Sequence, residues 1–232
     1  MDLIFQGIAE AFQLFIHGDP EVLRVTLLTL GVSLSATAIS LIIGITLGTV
    51  IGLTRFHGRQ FLVSLINTGM GSPPVVVGLM VSVFLWRSGP LGFLHLMYTP
   101  AAIVVAQCVI SLPIITGFTL ASIQQIDPKL RLQIVSLGAS RLQLVWILVR
   151  DTRLPLLAAV MAGFGSIISE VGAAMMVGGN IEGHTRVLTT AIVLEVSKGH
   201  FGLAIALGII LMALVYLVTL VLTMVQQRSK AR

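Results

Sequence analysis

One carboxylate, Glu170, stands inside the long apolar run Leu154–Gly179. A charge at that depth of a membrane span costs roughly 2.5–3.5 kcal/mol on insertion scales and normally faces the protein interior. Glu170 can line a path, or it can pin its helix to a nearby backbone amide or hydroxyl. For an anionic cargo the second role is favoured, because a negative charge repels it. A second charged group follows in Gly179-Asn180-Ile181-Glu182-Gly183-His184-Thr185-Arg186. The Arg186 guanidinium can guide an anion, bind an acidic patch of another protein, or pair with Glu182.

Catalytic chemistry has little to work with. His17, His57, His95, His184 and His200 lie in different segments and form no metal-ligand pair at helical spacing. Cys108, inside an apolar run, reads as a small packing residue. No G-x-x-x-x-G-K-[ST], H-E-x-x-H, C-x-x-C or G-x-S-x-G occurs. The sequence therefore offers no catalytic residue, no metal site and no cofactor site, and it cannot bind ATP through that glycine-rich loop.

The polar stretch from Gln124 to Arg141 reads as an elbow of two short helices. Asp127 is a good N-cap, and Pro128 suits the first helical position, where its missing N–H is not needed. Leu130, Ile134 and Leu137 recur at i, i+4 and i+7 as one apolar face. Gly138 can take the left-handed conformation that ends such a helix, and Ser140 can cap the next. Such an elbow grips a partner or merely connects two spans.

The elements that position these residues follow from composition. Of 232 residues, 56% are hydrophobic and 10% charged, too few charges to cover a soluble domain. Five apolar runs, about 25–53, 61–86, 101–123, 154–179 and 201–225, are each long enough to span a bilayer. They are far longer than barrel strands, so the expected fold is an all-α polytopic membrane protein with five transmembrane helices. Gly71-Ser72-Pro73-Pro74 removes two backbone donors and predicts a break or re-entrant bend in the second span, for a path or only for packing. Pro113 is expected to bend the third span in the same way. Gly44, Gly48 and Gly52 form a small-residue face for close helix packing.

Ile4, Ile8, Phe12 and Phe15 oppose Gln6, Glu10, Gln13 and His17, so residues 1–19 read as an amphipathic helix lying in the membrane interface. Asp2 and Glu10 argue against a signal peptide. Ten of the 14 Lys and Arg residues fall in the loops after the first and third spans and in the 227–232 tail. The positive-inside rule then puts the elbow and C-terminus in the cytoplasm and the N-terminus outside. The net charge of +5 comes mostly from these loops, so it implies no nucleic-acid partner.

Together these signatures resemble the permease subunits of ATP-binding-cassette importers. Gly138-Ala139-Ser140 matches the glycine end of that family's cytoplasmic loop, and Leu154-Pro155 matches its later pair. Leu132-Gln133-Ile134 stands where the family has Glu-Ala-Ala. Pro73-Pro74-Val75-Val76-Val77-Gly78 and Ser169-Glu170-Val171-Gly172-Ala173 look like signatures of the molybdate and tungstate branch. The outer block from Gly179 to Ile192 is similar to tungstate-specific permeases.

The resemblance implies a type I importer permease acting as a homodimer in a bacterial or archaeal cytoplasmic (inner) membrane. A transmembrane domain over 20–226 would contain a coupling loop at 124–153. Leu130, Ile134, Leu137, Gly138, Ala139, Ser140 and Arg141 would meet two separate ATPase subunits. Pro73, Pro74, Glu170 and Gly172 would form path or gate, and Asn180, His184, Thr185 and Arg186 the outer loop. An external oxyanion-binding protein would deliver tungstate, or molybdate next, and ATP hydrolysis would belong to the partner chain. An independent secondary transporter or channel for small anions is the alternative, but neither coupling-ion ligands nor an inverted repeat is visible.

Overall fold

A computed structural model describes residues 19–230. The expected interfacial helix therefore lies outside the described residues except for Asp19, as does the end of the basic tail. All described regular structure is helical, as ten α-helices and one 3-10 turn. They are α1 Pro20–Leu53, α2 Arg59–Met70, α3 Pro74–Leu85, the 3-10 turn Gly92–Leu94, α4 Pro100–Gln124, α5 Pro128–Ser136, α6 Arg141–Asp151, α7 Arg153–Ile168, α8 Gly172–Gly178, α9 Leu188–Ser197 and α10 Phe201–Lys230.

The core is a parallel pair, α1 and α4, in contact along most of their lengths. Glycines set that approach. A Cβ built on Gly44 would come within 2.9 Å of Ile115, on Gly48 within 2.7 Å of the Thr116 carbonyl, and on Gly52 within 2.8 Å of Ile123. The small-residue face is a packing face. Between the two helices, Ser111 Oγ donates to Ser40 Oγ at 2.7 Å and Cys108 Sγ donates to the Ala36 carbonyl at 3.5 Å.

Helices α1, α4 and α10 are long and apolar enough to cross a membrane; counting each bent pair as one crossing gives up to five. The α2/α3 pair bends by 107° across Gly71-Ser72-Pro73, where the double proline predicts a break. Pro113 does not interrupt its helix, because α4 runs unbroken through it. A built Cβ on Gly69 of α2 would lie 2.8 Å from the Pro113 ring, so bare backbone packs against that ring. Neighbouring helices support a proline inside a membrane helix in this way. The expected fourth span instead splits into α7 and α8, bent by 60° at residues 169–171.

The ends segregate. Arg55 and Arg59 line one cavity with Ile126, Pro128 and Arg131, so the first loop and the elbow share an end. Opposite them, Tyr98 N donates to the Val177 carbonyl, and Arg186 reaches Glu21 at the start of α1.

Candidate functional site

Both broken pairs meet at their breaks. A Cβ built on Gly78 of α3 would lie 2.5 Å from the Ala173 Cα of α8, and one on Gly172 would lie 2.6 Å from Val75. Pro74 opens α3 at its first position, where no N–H is needed, and Pro73 is extended at ψ 123°. Glu170 Oε1 accepts from Ala173 N at 2.8 Å, and Thr189 Oγ1 of α9 donates to the Glu170 carbonyl at 2.9 Å. The carboxylate thus caps α8, satisfying a donor that the break would leave orphaned. Gln107, buried in α4, donates to the Ile167 carbonyl at 3.3 Å and steadies the end of α7. Its role escaped the sequence reading, although a glutamine inside an apolar span was the visible signal.

The outer block is a tight turn. Asn180 and Gly183 take φ +51° and +68°. Thr185 is buried, donates to the Gly178 carbonyl at 2.6 Å and accepts from Ile181 N at 3.0 Å. Asn180 Nδ2 makes a long 3.5 Å bond to the Thr190 carbonyl, while His184 is exposed. Arg186 sits 2.7 Å from Glu21 and 3.4 Å from Glu182, so two carboxylates compensate its charge. Its Nε and Asn180 Oδ1 are buried without a partner. No local signal marks Glu21, which is far away in sequence. Nearby, Glu195 is held by Lys198 and His200, both at 2.8 Å, and hydrogen bonding from Lys198 lowers its pKa.

At the opposite end, Asp127 accepts from Lys129 N at 2.8 Å and Ser140 accepts from Gln143 N at 3.3 Å, with Gln143 returning the bond to Ser140 N. Gly138 takes φ +81°, and Ala139 N donates back to the Ile134 carbonyl, closing α5. The expected common face of Leu130, Ile134 and Leu137 is corrected. Leu130 and Ile134 pack inward against Ile123, Leu144 and Leu148, whereas Leu137 is 87% exposed. The helix stops at Ser136, so the 3.6-residue period no longer governs Leu137. The exposed apolar side consists of Leu132, Val135 and Leu137, with Arg141 exposed beyond it.

Residues 44–231 match the family described as the binding-protein-dependent transport system inner membrane component. A tungstate uptake system permease protein of Peptoclostridium acidaminophilum is 37% identical over 98% of this chain and 100% of its own length. A probable anion ABC transporter permease of Haloferax volcanii is 40% identical over 82% of this chain and 84% of its own. A bacterial alginate ABC transporter, solved in complex with an alginate pentasaccharide-bound periplasmic protein, shares the fold with a TM-score of 0.76. That alignment covers 94% of this chain and 83% of the other, at 20% identity.

The chain belongs to this family of binding-protein-dependent transport permeases.

The permease is a transport subunit, and ATP hydrolysis resides in a separate subunit. Among its described residues, no group of three or more His, Cys, Asp or Glu side chains could hold a metal ion. Its described residues supply two glycine-packed breaks, a compensated outer turn, and an elbow that presents apolar side chains.

Proposed function

We propose that this permease is the membrane-spanning subunit of an ATP-driven importer for a tetrahedral oxyanion, tungstate first and molybdate next. The end-to-end match with the tungstate uptake permease carries the reading. Two copies form the path at their interface, each crossing the membrane five times. This agrees with α2, which exposes Ser64, Asn67 and Thr68 inside an apolar segment. Polar side chains at that depth need protein or water rather than lipid around them. The transmembrane domain covers residues 20–226, followed by a basic tail.

Two ATPase subunits dock on the 124–153 loops, where Leu132, Val135, Leu137, Gly138, Ala139, Ser140 and Arg141 form the contact. Leu130 and Ile134 instead brace the elbow from within. An external oxyanion-binding protein meets the outer turn at Asn180, His184, Thr185 and Arg186. ATP binding draws the elbows together and turns the path outward, and hydrolysis resets it. Pro73, Pro74, Glu170 and Gly172 shape the gate, with Glu170 acting through the α8 cap rather than touching cargo. The elbow faces the cytoplasm and the N-terminus lies outside, in line with the Lys/Arg bias.

Uptake of radiolabelled tungstate by cells lacking their own system, supplied with this permease, its ATPase and its binding protein, tests the proposal. Uptake should vanish without the ATPase and fall in the presence of excess molybdate. Uptake that persists without the ATPase and collapses with the proton gradient would instead favour a secondary transporter.

A further inference from the structure

The elbow end carries two neighbouring cavities; of the proposed ATPase-contact residues, only Arg141 lines either of them. One, of about 590 Å³, is lined by Arg55, Arg59 and Arg131 beside Leu53, Ile123 and Leu148. The other, of about 460 Å³, runs between α1 and α6 and is lined mainly by apolar side chains, among them Ile45, Val50, Val145 and Val149. Leu53, Thr54 and Arg131 line both.

The arginines are short of partners. No ion pair among the described residues involves Arg55, Arg59 or Arg131. Arg59 Nε donates to the Ile51 carbonyl at 3.0 Å, and Arg131 Nη1 donates to the Leu53 carbonyl at 3.4 Å. These bonds satisfy the end of α1 but use one donor of each guanidinium, which has five. The C-termini of α1 and α4 add about half a negative charge apiece, against three full positive charges. With the nearby Asp127 carboxylate the lining is still net positive, which favours an anion.

Its neighbours indicate which kind. A free oxyanion needs no apolar wall, yet the charged cavity adjoins a largely apolar groove on the flank of α1. Val50 and Val145 are exposed there, as expected of a lipid-facing surface. Trp146 is exposed on α6 with Arg150 5.1 Å above its ring, an aromatic and a cation together as at a membrane interface. We infer that this end binds one anionic phospholipid, its phosphate on Arg55, Arg59 and Arg131 and one acyl chain in the groove along Ile45, Val50 and Val149. Basic pockets between membrane helices recognise lipid headgroups by this chemistry. Only the leaflet rests on the orientation proposed above; the site itself does not.

Native mass spectrometry of the purified full chain, titrated with phosphatidylglycerol, phosphatidylcholine or inorganic phosphate, tests it without the ATPase or any transport assay. Phosphatidylglycerol should be retained about tenfold better than phosphatidylcholine. Replacing all three arginines by glutamine should abolish that preference. Val50→Trp, at an exposed position, should weaken retention while leaving the arginines intact. Arg87→Gln, which removes an exposed charge at the opposite end of the molecule, should change nothing. Equal retention of the two lipids by the wild type overturns the site. Displacement of phosphatidylglycerol by inorganic phosphate, with Val50→Trp behaving as wild type, also overturns it in favour of a soluble oxyanion.

Discussion

Gly138 is held at φ +81° with open space where a Cβ would stand, so any penalty there comes from the backbone rather than from collision. A residue with a side chain pays about 1 kcal/mol in that conformation, and a β-branched one more. Gly138→Val should leave the permease in the membrane at near-normal amounts while loosening ATPase attachment in co-purification and abolishing uptake. Arg186 permits a sharper comparison. If its role is to pair, Glu21→Gln should lower uptake and thermal stability in the same direction as Arg186→Ala, whereas Lys198→Ala should do less. Normal behaviour of Glu21→Gln beside a failing Arg186→Ala would assign the guanidinium to cargo or to the delivery protein. The local details were legible in the sequence, because caps and glycine turns are decided within four residues. Asp127, Ser140 and Gly138 behave accordingly. The Glu21 partner was not, because only the folded chain brings it to Arg186.

Helices carry the next level of control. The α1–α4 contact predicts that Gly48→Ala, whose new Cβ would press on the Thr116 carbonyl, destabilises the protein by about 1–3 kcal/mol. Gly31→Ala in the same helix faces nothing within 4 Å and should be neutral or slightly stabilising. Melting curves of the two purified variants separate a packing face from a general intolerance of α1. The prolines show where sequence patterns reach their limit. Two prolines after Gly-Ser break α2 from α3, yet Pro113 leaves α4 whole, because its effect depends on the helix packed against it. The α7/α8 break is the converse case. No proline marks it, and although Glu170 reads as a pin to a nearby backbone amide or hydroxyl, nothing in the run shows that this amide opens a new helix.

The orientation of the whole molecule in the membrane is directly testable. Single cysteines at Ser136 and Glu182, in a Cys108→Ala background, should react with an impermeant thiol reagent from opposite faces of the membrane. Position 182 should be labelled in intact cells and position 136 only after lysis. The opposite pattern would invert both the path and the coupling scheme. Grouping the loops into two ends was within reach of charge counting, but the pairing of broken spans was not, since it depends on contacts between Gly78 and Ala173 and between Gly172 and Val75. That pairing bears on how such permeases can diverge. Neither interruption belongs to its own segment alone, because each is shaped by the bare backbone of the other. Residues 71–78 and 169–174 should therefore behave as one heritable unit. A chimera taking only one segment from a relative inherits half an interface, whereas one taking both inherits a working fit.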